Sequence, residues 1–278
     1  MRKIDKPTVI QEEICNCFRG FAYKDRVLEK SQEYDDDFLQ VAVFLQQEAF
    51  FINQNNNYNS HMVSIYDNRL SKKNSPSYKY YEQIKGKIKC PYCNFPSRDA
   101  IELDHYLPKS HFPTFAVTAN NLVPICVECN QIKDNYYSID ISKMLIHPYY
   151  DLEIERVVEF LKCRIFEDLH IGFEFFIERL PGWSNDFFER VKYHFSKLEV
   201  DKLYQGDFVA EFNVKIQEMK LFFAETGDIQ DVKKSLQRRI DALRIEKIRP
   251  WEYVGLISIL ENNWFFDIYF PYICSGNV

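Results

Sequence analysis

The sequence predicts an α+β chain, with a small metal-closed module of two short strands and a helix set in a mostly α-helical polypeptide. Three observations lead there: two Cys-x-x-Cys pairs, a brief alternation of apolar and polar residues between them, and long stretches of helical apolar spacing on either side.

The pairs are Cys90 and Cys93 in CPYC, and Cys126 and Cys129 in CVEC. Each places two thiolates on one tight knuckle, within about 2.3 Å of a shared ion, and the ion would close the loop between them. Disulfides are the rival explanation. The start MRKIDKPTVI is charged and lacks an apolar core for export, and no run reaches the roughly 18 apolar residues of a membrane span. A cytoplasmic location, where thiols stay reduced, is therefore expected. The four cysteines read as a structural Zn2+ site with no position open to water. Cys15, Cys17, Cys163 and Cys274 have no matching second pair and read as ordinary thiols.

Any chemistry must come from what the zinc braces. Ile101 and Leu103 alternate with Glu102 and Asp104, as in a short half-buried strand that Pro108 would end. The Asp104-His105 step falls at the end of that strand. Neighbouring strand residues face opposite ways, so both can serve one site only if the chain twists there. A second short strand runs up to Ile125, followed by the second knuckle and a helix from near Glu128.

In that order CPYC, IELDHYLPKS, NNLVP and CVECNQIK resemble the zinc-braced HNH nucleases of the ββα-metal class. The resemblance implies a phosphodiester-cleaving endonuclease in which His105 is the general base. It assigns Asn121 to orienting that histidine and its loop, with Asn120 the alternative one residue away. Asp104 and Asn130 would be the oxygen ligands of a catalytic Mg2+ or Mn2+. Many relatives carry His where Asn130 stands, and an amide carbonyl is the harder donor, which favours those ions. Lys109 and Lys133 flank the motif as candidate nucleic-acid contacts. Glu102 shares a strand face with Asp104 and can support the metal or pair with a lysine. His111 and His147 can line the cleft, although a structural hydrogen bond is the more common role for such residues.

Composition limits the mode of action. Lys and Arg total 35 against 41 Asp and Glu, a net charge of −6. Residues 85–150 hold seven basic and six acidic residues, so the module is near neutral and the remainder carries the acidity. An autonomous DNA binder usually shows a basic face, so the substrate is expected to be weakly held or presented by a partner.

The expected organisation is a helical region over 1–85, the nuclease module with its knuckles over 86–150, and a β-hairpin followed by partner-docking helices over 151–278. Upstream, apolar residues at 38, 41, 45, 49 and 52 have amphipathic helical spacing, Asn53 to Ser60 reads as a loop, and a helix spans Tyr78 to Ile84. Downstream, Val157 to Phe166 and Gly172 to Leu180 read as a hairpin with its turn at Asp168 to Gly172. Pro181-Gly182 breaks the chain and Ser184-Asn185 can cap a helix. From Val200 two long helices are separated at Thr226-Gly227-Asp228, and Pro250 starts another. The aromatic end from Trp264 to Phe270 is either an interface or a buried terminal element.

The whole order of parts resembles the HNH subunit of Septu-type antiphage systems, which are also found attached to retrons. That resemblance implies an ABC-type ATPase partner and, in the retron form, a reverse transcriptase with its RNA-linked DNA. Two other readings stay open: a zinc-braced binding module without catalysis, and a stand-alone restriction-type nuclease, for which a basic specificity domain would be expected.

Overall fold

A computed structural model describes residues 1–168, 171–246 and 248–276. In chain order it contains α1 (Gln11–Asn16), α2 (Lys24–Asp36), α3 (Val41–Gln54), α4 (Tyr58–Ile65), α5 (Tyr78–Lys85), β1 (Glu102–His105), β2 (Leu122–Ile125) and α6 (Val127–Lys133). These are followed by α7 (Val157–Phe160), β3 (Leu161–Phe166), β4 (Gly172–Ile177), α8 (Asn185–Lys197), α9 (Val200–Thr226), α10 (Ile229–Glu246), α11 (Pro250–Leu260) and α12 (Phe270–Cys274). The chain is mostly helical with two small sheets. Among the described residues no helix is long and apolar enough to cross a membrane.

The chain divides into two compact units, one of Met1–Glu155 with Asn185–Leu198 and one of Arg156–Ser184 with Glu199–Val278. In the first unit β1 and β2 pair antiparallel, with Asp104 opposite Val123 and His105 opposite Leu122. Leu103 and Leu122 from these strands lie in the same apolar core as Ile14, Val27, Tyr58 and Met62 of the leading helices. The strands therefore rest on a helical platform. That shared burial is what a four-residue strand needs, because a two-stranded hairpin alone is marginal in water.

Helix α3 shows how tertiary contacts turn an amphipathic face. Apolar spacing points to positions 41, 45, 49 and 52, yet the buried residues are Val41, Phe44 and Glu48, and Ala49 is exposed. The helix is rotated because the Glu48 carboxylate is drawn inward by Thr114 and Arg26. The Asn-rich loop is also shorter than expected, since α3 runs to Gln54 and α4 begins at Tyr58, with Asn57 left-handed at its start.

Helix α8 joins the first unit through a buried ion pair. Arg190 donates to both carboxylate oxygens of Asp151, at 2.9 and 2.7 Å, and to the Leu145 carbonyl. Beside it lie two buried histidines. His147 Nδ1 accepts from Tyr149 N at 3.3 Å and its Nε2 meets the Tyr34 hydroxyl at 3.0 Å. His194 Nδ1 accepts from Ile146 N at 3.2 Å and its Nε2 reaches the Tyr92 carbonyl at 3.0 Å. With one nitrogen accepting and the other donating, each ring is a neutral imidazole.

In the second unit β3 and β4 form an antiparallel hairpin. The expected strand from Val157 begins later, because residues 157–160 form the single turn α7. Part of the expected turn at 168–172 lies outside the described residues. Part of the chain's aromatic surplus packs here: Phe173 contacts Phe208 and Phe212 edge-on at 4.8 and 4.9 Å. The Phe208 ring also lies against Gly255 of α11, where any Cβ would collide with it. Gly227, at φ +67°, ends α9 with its N–H on the Phe223 carbonyl, and Pro250 occupies the first turn of α11. Phe265, Phe266 and Phe270 of the aromatic end are buried.

Burial holds the pKa of His147 well below the usual imidazole range and lowers that of His194 to about 3. The unfolded chain takes up protons near pH 6.5 while these rings do not, so their stabilising contribution is full above that pH and is lost as pH falls toward the folded values. The expected slope is up to about 1.4 kcal/mol per pH unit for each histidine. Urea midpoints at neutral and mildly acidic pH measure it. His147→Asn should lower the neutral midpoint and shrink the acid-induced drop. The comparison isolates the histidine from Asp151, whose carboxyl is raised by burial and acts with the opposite sign.

Candidate active site

The two knuckles are built by local backbone geometry. Cys90 N donates to the Arg98 carbonyl, and Asn94 N returns to the Cys90 carbonyl at 2.8 Å, with Asn94 left-handed at φ +51°. Cys126 caps α6, its Sγ accepting from Cys129 N at 3.5 Å. The four Sγ atoms all lie within 4.8 Å of one another, are buried and form no disulfide. Four sulfurs converging without a disulfide fit a tetrahedral Zn2+ ion, whose bonds to sulfur are about 2.3 Å. The set contains no carboxylate and leaves no position for water, which makes the site structural.

An open cleft of ≈ 380 Å³ has a lining that includes Tyr66, Asp104, His105, Lys109 and Asn130. The Asp-His step thus opens onto one cavity although its side chains leave a strand. His105 is buried, its Nε2 lies 2.9 Å from the Ala116 carbonyl, and its ring meets Tyr66 edge-on at 4.3 Å. A carbonyl can only accept, so Nε2 carries the hydrogen and Nδ1 keeps its lone pair. Burial lowers the His105 pKa to about 3, which keeps the ring neutral at physiological pH.

The carbonyl that sets this tautomer sits on a 3-10 turn, Pro113–Val117, held from several sides. Glu48 accepts from Thr114 N at 3.1 Å and from its hydroxyl, Arg26 binds the same carboxylate at 3.0 Å, and Tyr58 meets the Thr114 hydroxyl at 2.7 Å. Gln11 forks across the end of the turn, donating to Val117 O and accepting from Ala119 N, both at 2.9 Å.

Asn121 is fully buried and bridges two loops. Its Oδ1 accepts from Leu107 N at 2.8 Å, and its Nδ2 donates to the carbonyls of Leu107 and Phe115 at 3.0 and 3.1 Å. Asn120 points elsewhere, to Asp35 of α2 at 2.9 Å. Of the two registers, Asn121 is the one that reaches the histidine's loop.

Asp104 is buried, and burial raises its pKa against the pull of Lys133. One carboxylate oxygen accepts from Lys133 Nζ at 3.0 Å and the other from the Tyr92 hydroxyl at 3.2 Å. Asn130 donates from Nδ2 to Glu102 at 2.7 Å, which leaves its Oδ1 carbonyl as a donor atom for a metal. Asp104, Asn130 and the neighbouring Glu102 offer only hard oxygen donors, a set suited to Mg2+ or Mn2+.

The two expected phosphate contacts divide. Lys133 is not an open phosphate contact: it is 1% exposed and its Nζ is spent on Asp104 and, at 2.8 Å, on the His105 carbonyl. The helical turn that places Cys129 in the cluster also carries Lys133 inward beneath β1. Lys109 does reach the rim, but pairs with Asp67 at 2.5 Å and lies 4.5 Å above the Tyr66 ring. His111 packs near Tyr137 and is absent from the cleft lining, and His147 belongs to the core. Tyr66, Tyr92, Glu48 and the Ala116 carbonyl escaped the sequence reading. Only Tyr92, inside the first knuckle, had a local signal.

Residues 90–135 match the HNH endonuclease family. The match runs from the first knuckle past the second and takes in Asp104, His105, Asn121 and Asn130. Over 147 residues, 52% of the chain, the sequence is 30% identical to Protein ea31 of Escherichia phage lambda. The matched part is 49% of that protein, so the chain spans about half the length of this relative. No solved structure matches.

Replacing Lys133 by Met should destabilise the protein by about 3–5 kcal/mol, because it leaves the buried Asp104 carboxylate without its cation. Urea unfolding checks this, and the double variant Asp104→Asn/Lys133→Met should recover part of the loss. Unchanged stability with weaker nucleic-acid binding would return Lys133 to a phosphate-contact role. Cys126→Ser is expected to abolish bound zinc, read by elemental analysis, and to unfold the module.

Proposed function

We propose that this protein is a metal-dependent HNH endonuclease of ββα-metal type that hydrolyses phosphodiester bonds in nucleic acid, DNA foremost. The observation that carries the reading is His105, a buried neutral imidazole whose Nε2 is committed to the Ala116 carbonyl and which lines a cleft with Asp104 and Asn130. In this reading Nδ1 accepts a proton from water as the water oxygen attacks phosphorus in line and the 3′ oxygen departs. Asn121 holds the loop that follows His105, and Tyr66 limits the ring's rotation. A divalent ion held by Asp104 and Asn130 would supply charge neutralisation at the scissile phosphate.

The finer reading is an effector nuclease of a bacterial antiphage complex of Septu or retron type, governed by an ABC-type ATPase. The order of motifs and the acidic chain outside the module support it, since a nuclease with net charge −6 gains from a partner that delivers substrate. A second reading, a zinc-braced binding module without catalysis, draws support from one observation: both oxygens of Asp104 already have protein partners.

Plasmid DNA incubated with the purified chain and Mg2+ or Mn2+, alone and after co-expression with its genomic neighbours, tests these readings. Cleavage should need the metal and fall by about 10²–10⁴-fold in His105→Ala, with zinc content and folding unchanged. Equal cleavage by His105→Ala would remove the mechanism. Dependence on a neighbour would favour the complex, and no cleavage of DNA or RNA under any condition would favour the binding module.

A further inference from the structure

The family-matched segment has no uncommitted cation with which to hold a polyanion. Its three basic residues are all paired: Arg98 with Glu128 at 3.6 Å, Lys109 with Asp67 at 2.5 Å, and Lys133 with Asp104 at 3.0 Å. A nuclease cleft must nevertheless sit beside charge that neutralises phosphates, because that term dominates affinity for nucleic acid.

The charge lies immediately upstream. Residues 67–89 contain seven basic residues against two acidic ones, a local charge of +5 in a chain whose total is −6. Lys72, Lys73, Lys79 and Lys87 are exposed, and none has a carboxylate partner among the described residues. A run of like charge is ordinarily a solvated surface, but this one is tied to β1 at its start and to the residues just before β1 at its end. At its start Tyr66 opens a π-helical turn, Tyr66–Leu70, and stands against His105 with its hydroxyl toward the Leu103 carbonyl. At its end the Ile88 carbonyl accepts from Ala100 N at 2.9 Å, and Lys89 bridges to Asp99. Between them α5 packs on β1 and β2, and Tyr81 hydrogen-bonds the Leu103 backbone. The loop 71–77 is closed by Ser77 donating to the Arg69 carbonyl at 3.0 Å.

We infer that the segment 66–89 is the protein's phosphate-backbone docking surface, which holds a nucleic-acid strand alongside β1 and feeds it past Tyr66 and Lys109 to His105. The inference rests on the nuclease reading for the purpose of the docking, but the docking can be measured without cleavage. Its ligand is the phosphodiester backbone of a duplex. The surface lies outside the residues that match the nuclease family, so it belongs to this chain's own helical lead. The free lysines stand on a loop and on the outer side of a helix whose inner side, Tyr80 and Ile84, is buried, so their removal leaves the core untouched.

The test uses the full chain carrying His105→Ala, which leaves the probe intact, with and without Lys72→Ala/Lys73→Ala/Lys79→Ala. Fluorescence anisotropy reports binding to labelled DNA and RNA duplexes of the same sequence, about 30 base pairs long, across a salt series. The triple variant should lose about tenfold or more in affinity at low salt, and its slope of log K against log salt should become shallower by about 2 to 3. Zinc content and circular dichroism should not change. The duplex bound more tightly by the parent identifies the nucleic acid that the surface serves. Equal affinity and slope in the two proteins would overturn the inference, as would a parent that binds neither duplex at low salt. Cleavage by the wild-type chain, measured separately, distinguishes the two claims. Cutting with unchanged triple-variant binding leaves the nuclease reading and removes the docking surface, and lysine-dependent binding without any cutting does the reverse.

Discussion

The rest of the first unit depends on four sulfurs meeting at one point. Cys90 and Cys93 precede β1, and Cys126 and Cys129 follow β2, so their convergence fixes both ends of the intervening loop. Two strands of four residues cannot hold a register by ladder hydrogen bonds alone. Once the ends are closed, Asp104 must stand opposite Val123 and His105 opposite Leu122. A one-residue slip would turn every side chain to the other face, Asp104 and His105 with them.

The zinc-type closure sets the frame but does not aim the histidine. That is the work of groups distant in sequence. Ala116 accepts from His105, yet the turn bearing Ala116 is held by Glu48 of α3, Arg26 of α2 and Gln11 of α1. Each bond to a buried charge or carbonyl is worth only about 1–3 kcal/mol. Together they oppose any tilt of the turn, and a tilt would free Nε2 and let the ring exchange tautomers. The helical lead is therefore part of the site's machinery as well as its platform.

Asp104 carries a tension between stability and chemistry. A buried carboxylate needs a cation, and Lys133 supplies it from α6, one helical turn beyond Cys129. The same pair occupies oxygens that a divalent ion would share. Asn130 lines the same cleft and is bonded to Glu102, so oxygen donors reach the cleft from the strand through Asp104 and from the helix through Asn130.

The sequence by itself determined the parts whose physics is local. Cysteine spacing of two dictates a knuckle, alternation at 101–104 dictates a strand, Gly227 and Pro250 set helix ends, and the motifs between residues 90 and 135 carry the likeness to HNH endonucleases. Only the tertiary structure decided what depends on residues far apart. It turned the Asn121 side chain to Leu107 and that of Asn120 to Asp35. It took Lys133 from surface to core and rotated α3 to bury Glu48. The reason is common to all three. A buried polar group must find a partner, and the partner that wins is fixed by position in space, which neither periodicity nor spacing along the chain encodes.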